Sequence, residues 1–315
     1  LTLKENKVSI IMATYNRAHF IVETLAAIQK QTHINWECLI IDDGGTDNTL
    51  EVISPILEVD PRFSFLKRPN SYGKGLPGCR NYGIDTATGD YIIFFDDDDI
   101  PHPQNLEICL NELKDSSFKF CRYLRAVFFG EFDYKFDSKN SFGKVTFTHN
   151  DLSKMIDHTI SFNSCAVLWS KSCFEKNRFN ETLMYAEEWE CYSRILSEKI
   201  KGVCIEKTLF YGRKHANSNT GEFWKKNPVR QNSKKEAIRL IMENLRAKNL
   251  LTSYLFTYLS GLAISFRDRR LIDDIIKRVG LSLRQKIILH IKYTVYPIWV
   301  AYKRLLKTKK PKNVI

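Results

Sequence analysis

No segment of the 315-residue chain reaches the roughly 20 uninterrupted apolar residues that a membrane-spanning helix needs, so the sequence reads as globular. No G-x-G-x-x-G follows the first strand-like run and no G-x-x-x-x-G-K-S/T occurs anywhere, which removes the usual dinucleotide and P-loop phosphate cradles. The eight cysteines, at positions 38, 79, 109, 121, 165, 173, 191 and 204, form no C-x-x-C pair. Most lie in apolar runs such as Trp36-Glu37-Cys38-Leu39-Ile40 and read as buried thiols rather than disulfides. With no signal peptide evident, the expectation is a reducing compartment, the cytosol. Internal repeats and low-complexity tracts are absent as well.

What is present is the makeup of a folded protein with a substantial core: 43% hydrophobic, 27% charged and 12% aromatic residues. The length suits one large domain, or one domain with a helical appendage. The net charge of +12 is unevenly placed. Residues 1–227 carry 28 Lys and Arg against 31 Asp and Glu, whereas residues 228–315 carry 20 against 5. A basic tail on a nearly neutral body suggests attraction to an anionic surface rather than a basic active-site cleft.

Over the first hundred residues short β-rich runs alternate with amphipathic helical stretches. Strands are expected at 7–14, 36–42, 63–67 and 91–95, and helices at 20–31, 49–59 and 75–87. Runs such as Val8-Ser9-Ile10-Ile11-Met12 and Cys38-Leu39-Ile40-Ile41 are almost continuously apolar, as strands are when helices cover both faces of a parallel sheet. From 119 to 147 the pattern is β-rich and irregular, and from 161 to 211 it mixes short strands with one helix near 187–198. Beyond a polar stretch at 216–227 the chain reads as basic helix, with a boundary expected near 222–232.

Ligands of such sheets bind at the carboxyl ends of the strands. Those ends are polar here: Thr14-Tyr15-Asn16-Arg17, Asp42-Asp43-Gly44-Gly45-Thr46-Asp47 and Asp96-Asp97-Asp98-Asp99. Four adjacent carboxylates repel one another, and a hard divalent cation, Mg²⁺ or Mn²⁺, would relieve this while a substrate's phosphates supplied further ligands. A solvated acidic turn is the alternative. A carboxylate at 42 or 43 suits a uracil N–H or ribose hydroxyls, although turn and cap chemistry would explain the same residues. Tyr15 offers a ring to stack on a base.

Together these runs, with Gly78-Cys79-Arg80-Asn81-Tyr82-Gly83-Ile84 between them, resemble the family 2 glycosyltransferases of the GT-A fold over roughly residues 7–220. The resemblance implies a Rossmann-like α/β domain with a mostly parallel central sheet, helices on both faces, and a basic helical C-terminal extension. Its boundaries would be 1–225, split near 118 into nucleotide-sugar and acceptor halves, and 226–315. It further implies an inverting, metal-dependent, hexosyltransferase-type enzyme. Ala13, Thr14, Tyr15, Arg17, Asp42, Asp43, Arg80, Asp96, Asp97 and Arg213 would hold the nucleotide-sugar, UDP-linked first. Asp98, Asp96 and His215 would hold Mn²⁺ or Mg²⁺.

In Tyr185-Ala186-Glu187-Glu188-Trp189-Glu190, Glu188 aligns with the family's catalytic base, usually an aspartate; Glu187 and Glu190 are the fallbacks. Acids in a first helical turn also complement the macrodipole with no catalytic role.

Residues 284–312 hold nine Lys or Arg and no acid, interleaved with aromatics and aliphatics. Pro297 and Lys292 argue against spanning, and a helix lying in the headgroup region fits; a helix packed on the catalytic domain is the alternative. The expected partners are a nucleotide-sugar, a saccharide or lipid-linked acceptor and the inner membrane surface, with no nucleic acid. A sugar-phosphate nucleotidyltransferase and a non-catalytic binding protein are the competing readings.

Overall fold

The computed structural model describes residues 6–214 and 219–308, with side chains for all of these except 219–220 and 303–308. Strand β1 (Val8–Thr14) is buried along almost its whole length. Val8, Ile10 and Met12 join the core that α1 (Ile21–Gln29) closes through Ile21, Leu25 and Ile28. The opposite face, through Ile11, meets Gly83 of a later helix. Between lie β2 (Trp36–Asp42), α2 (Thr49–Val59) and β3 (Phe63–Lys67), followed by α3 (Leu76–Thr86) and β4 (Tyr91–Asp96). All seven elements expected over this stretch form, with ends within two residues of those read from the sequence.

The chain continues through β5 (Ile100–Pro101), α4 (Asn105–Glu112), β6 (Phe118–Phe129), β7 (Lys144–Phe147), α5 (Leu152–Ile156), β8 (Val167–Ser170), α6 (Glu187–Leu196), β9 (Lys201–Lys214) and α7 (Asn219–Trp224). One nine-stranded sheet results, in the order β3-β2-β1-β4-β8-β6-β9-β5, with β7 on β9. Its longer ladders are parallel: β1 with β2 and β4, β2 with β3, and β6 with β9. The antiparallel ladders, β4 with β8, β6 with β8, β5 with β9 and β7 with β9, are short. Strand β9 runs for 14 residues where the sequence suggested only short strands, and register shifts interrupt its pairing with β6.

Register decides where the site falls. Thr14 pairs with Asp42 and Ala13 with Asp96, so three strand ends finish at one level. Helix α3 fits closely because of its glycines. A Cβ on Gly83 would overlap Ile11 of β1, and one on Gly78 would overlap the Gly73 carbonyl. Gly83→Ala is therefore expected to destabilise the protein by about 1–3 kcal/mol through overpacking, seen as an earlier urea midpoint with unchanged slope. An unchanged midpoint would show that α3 can shift without cost.

The described chain forms two compact units, Leu1–Ser233 and Lys234–Ile315. The division falls just past the 222–232 stretch in which composition places the boundary. The reason is local: at the start of α8 (Pro228–Ala247), Ser233 Oγ accepts a 2.9 Å hydrogen bond from the Met184 amide, and Arg230 donates to the Met184 carbonyl. The second unit continues with α9 (Ser253–Ser265), α10 (Arg269–Arg278) and α11 (Leu283–Thr308). All eight cysteines are free and buried. No helix among the described residues is long and apolar enough to cross a membrane.

Candidate active site

The level strand ends open into a cavity of about 370 Å³ lined by Ala13, Thr14, Tyr15, Arg17, Asp43, Asp96, Asp97, Asp98 and Arg213 among others. The expected Asp42 and Arg80 stand outside this lining. Asp42 Oδ1 accepts the Gly45 amide at 2.8 Å and closes the turn in which Gly44 takes φ 86°. Asp43, one residue on, reaches the cavity. Its carboxylate accepts Arg68 Nε at 2.6 Å and the Gly75 amide at 3.0 and 3.1 Å, so its position is set by β3's end and by the entry to α3. Tyr15 is 47% exposed, with Lys74 Nζ 5.2 Å from its ring centroid.

The four-aspartate turn is stabilised from within the protein. Arg80 lies 3.7 Å from Asp96, Arg17 lies 3.6 Å from Asp97 and 3.7 Å from Asp98, and Arg125 lies 3.4 Å from Asp99. Three arginines thus offset the repulsion that, in sequence, called for a cation. Burial pushes the Asp97 carboxyl up to about 7, against the pull of Arg17 and with a further push from Asp98. Burial, with Asp96 and Asp98 nearby, also raises Asp99 well above the carboxylate range. Both shifts favour the neutral form in the absence of a cation.

Asp96, Asp99 and Cys165 also bring ligand atoms within 4.8 Å of one another. Burial holds the Cys165 thiol protonated, with Asp96 and Asp99 adding to the effect, so this trio does not suit a hard ion. The alternate carboxylates Asp96 and Asp98, both lining the cavity, could hold Mn²⁺ or Mg²⁺.

Arg80 is nearly inaccessible and pairs with Glu187 at 3.1 Å. Burial and the adjacent Glu188 push Glu187 up to about 8 despite that guanidinium. Glu190 is taken by Arg194, which donates from Nε at 2.7 Å and from Nη2 at 2.9 Å. Glu188 is the acid of α6's first turn that lines a cavity, a second one of about 150 Å³ shared with Met155, His158, Ser161, Phe162, Asn163 and Trp189. Ala186, just before α6, has φ 62°, a conformation that costs a non-glycine residue roughly 1–2 kcal/mol. Asn163 lines both cavities, so Glu188 stands next door to the aspartate turn rather than among its residues.

Arg213 reaches the cavity fully engaged. Its amide donates to Asp99 Oδ1 at 2.7 Å and its Nε to the Asp98 carbonyl at 2.9 Å, while its terminal nitrogens meet Gly130 O and Glu23. Its guanidinium therefore braces the aspartate turn. Lys214, Arg230, Arg125, Asn163, Met184 and the Gly75-Leu76-Pro77 corner also line the cavity and were not singled out in the sequence. Arg125 Nε is buried without a hydrogen-bond partner. Only the strand-end rule could have pointed to Lys214, which closes β9. His215 lies outside the described residues.

Comparisons with known proteins bear on the same residues. The model for Glycosyl transferase family 2 matches residues 9–175, a span that holds β1 to β8 and the aspartate turn. An uncharacterized glycosyltransferase of Rickettsia felis is 31% identical over 218 residues, covering 69% of this chain and 35% of that protein. The chain spans about a third of the length of the curated relatives it matches first. Escherichia coli WfgD, a UDP-Glc:alpha-D-GlcNAc-diphosphoundecaprenol beta-1,3-glucosyltransferase, is 39% identical over 114 residues, 36% of this chain and 43% of its own length. Among solved structures, Staphylococcus aureus TarS 1-349 in complex with UDP superposes with a TM-score of 0.65 at 19% identity, over 92% of this chain and 87% of that one.

Proposed function

Because the chain belongs to glycosyl transferase family 2, we propose that it moves a sugar from a nucleoside diphosphate sugar to a hydroxyl acceptor with inversion at the anomeric carbon. The observation that carries this is the convergence of Tyr15, Asp43 and the aspartate turn on one crevice at level strand ends. UDP ranks first among donors, since TarS is seen with UDP and WfgD is named for UDP-Glc. WfgD's diphosphoundecaprenol substrate likewise favours a lipid-linked or saccharide acceptor, in cell-surface polysaccharide or glycolipid assembly at the inner face of the membrane.

In this reading residues 1–118 bind the donor and 119–225 the acceptor. Tyr15 stacks on the base, and Asp43, pinned by Arg68 and Gly75, accepts from the nucleoside. Asp98 and Asp96 hold Mn²⁺ or Mg²⁺, with His215 a further ligand, and the ion when bound offsets charge on the diphosphate. Glu188 takes the acceptor hydroxyl's proton. The oxygen forms its bond to the anomeric carbon from the far side, and the carbon–oxygen bond to the diphosphate breaks with its electrons leaving on the nucleoside diphosphate.

Calorimetric titration with UDP, GDP and dTDP, each with and without Mn²⁺, tests the donor half. One diphosphate should bind about tenfold or more tighter than the others, and more tightly with metal than without it. Equal or absent binding of all three would sink the reading. Release of nucleoside diphosphate from the matching sugar donor, rather than consumption of inorganic pyrophosphate, separates glycosyl from nucleotidyl transfer.

A further inference from the structure

Helix α11 turns two apolar faces in opposite directions. Leu289 is buried, and Tyr293 and Tyr296 are half-buried, on the side that packs against α9 and α10. On the other side Leu283, Ile287, Ile291, Val295, Ile298 and Tyr302 are between 48% and 74% exposed. At about 100° per residue these six fall within an arc of roughly 120°, centred opposite the inward residues, and form a stripe about 28 Å long. Lys286 and Lys292 flank it, each about 60° beyond an edge by the same geometry. Arg284 falls inside the stripe at the helix's first turn.

A solvated helix presents charge outward, whereas this one presents large aliphatic side chains in register. Something must cover them, and charge identifies it. The segment 284–312 carries nine Lys or Arg and no acid. A second copy laid along the stripe would set two such cationic segments side by side, while an anionic lipid surface meets both the apolar stripe and the flanking lysines.

We propose that α11 lies in the plane of an anionic bilayer with this stripe seated at the headgroup–acyl boundary. Lys286 and Lys292 then reach up to phosphate groups along the two edges, and Arg284 does so by extending its stem out of the stripe. The proposal goes beyond the transfer reaction and does not depend on it.

The test is flotation of the full chain with vesicles of phosphatidylcholine alone and of phosphatidylcholine with phosphatidylglycerol, at low and high NaCl. Wild type should partition about tenfold or more in favour of the anionic vesicles, and salt should weaken that binding without abolishing it. I287E/I291E should lose about tenfold or more of the anionic binding, while T257E/G261E, which adds the same two charges one turn apart at exposed sites on α9, should not. UDP titration of the same preparations should give equal affinities, so a failure here is distinct from a failure of the donor site.

The proposal is overturned if wild type ignores phosphatidylglycerol or if I287E/I291E floats as wild type does. It is also overturned if light scattering shows a wild-type dimer that I287E/I291E splits, for the stripe is then an interface between copies.

Discussion

Asp98→Ala is expected to lose metal-dependent binding of UDP by about 100-fold or more, close to 3 kcal/mol at the calorimeter. The sign without metal is what makes the measurement informative. Asp98 shares Arg17 with Asp97, so removing its carboxylate takes a negative charge from the cavity and leaves that guanidinium less occupied. In the absence of Mn²⁺ the variant should therefore bind the diphosphate as well as wild type or better, and Asp98→Asn should behave alike. If affinity falls equally with and without metal, Asp98 is an internal partner of Arg17 and Arg213, and the alternate-carboxylate assignment of the cation fails. A thermal midpoint within a few degrees of wild type is the companion measurement, because the Asp98 carbonyl that Arg213 holds survives either substitution.

The parallel half of the fold was legible because doubly covered strands leave an unambiguous trace, short apolar runs that stop at polar residues. The same trace located the crevice: Tyr15, Asp43 and the aspartate turn are all first residues past a strand, or nearly so. What sequence could not show is who stands behind those residues. Arg125 comes from β6, Asn163 from the lead-in to β8 and Arg230 from the first turn of α8, and only tertiary structure brings them to β1. Arg213 is the instructive case. Its position at the site was readable, but its partner Glu23 lies 190 residues earlier, and that ion pair helps hold its guanidinium against the aspartate turn. Crowded carboxylates likewise do not by themselves require a cation here, since three arginines supply counter-charge.

Glu188→Gln should lower the rate of sugar transfer by about 10²–10⁴-fold, the range for removing a general base, while leaving UDP affinity unchanged. The separation follows from the two cavities: Glu188 lines the smaller one, with Asn163 at the junction, and none of its atoms belongs to the lining around Asp96–Asp99. Glu187→Gln should behave differently. It changes the buried partner of Arg80, which also neighbours Asp96, so a shifted thermal midpoint is the expected first effect.

The pH profile then decides between them. Burial and Glu188 push the Glu187 carboxyl up to about 8, so if it were the base, activity would still be climbing as pH rises through that value and it gives up its proton. A profile that carries no such rise, together with a rate collapse in Glu188→Gln at unchanged thermal midpoint, assigns the proton transfer to Glu188. The reverse pattern, a rise through 8 and a Glu188→Gln enzyme that still turns over, would move the base one residue back. It would also make the Arg80 pair part of the chemistry, since Arg80 would then hold the base that must release and regain its proton beside a second carboxylate.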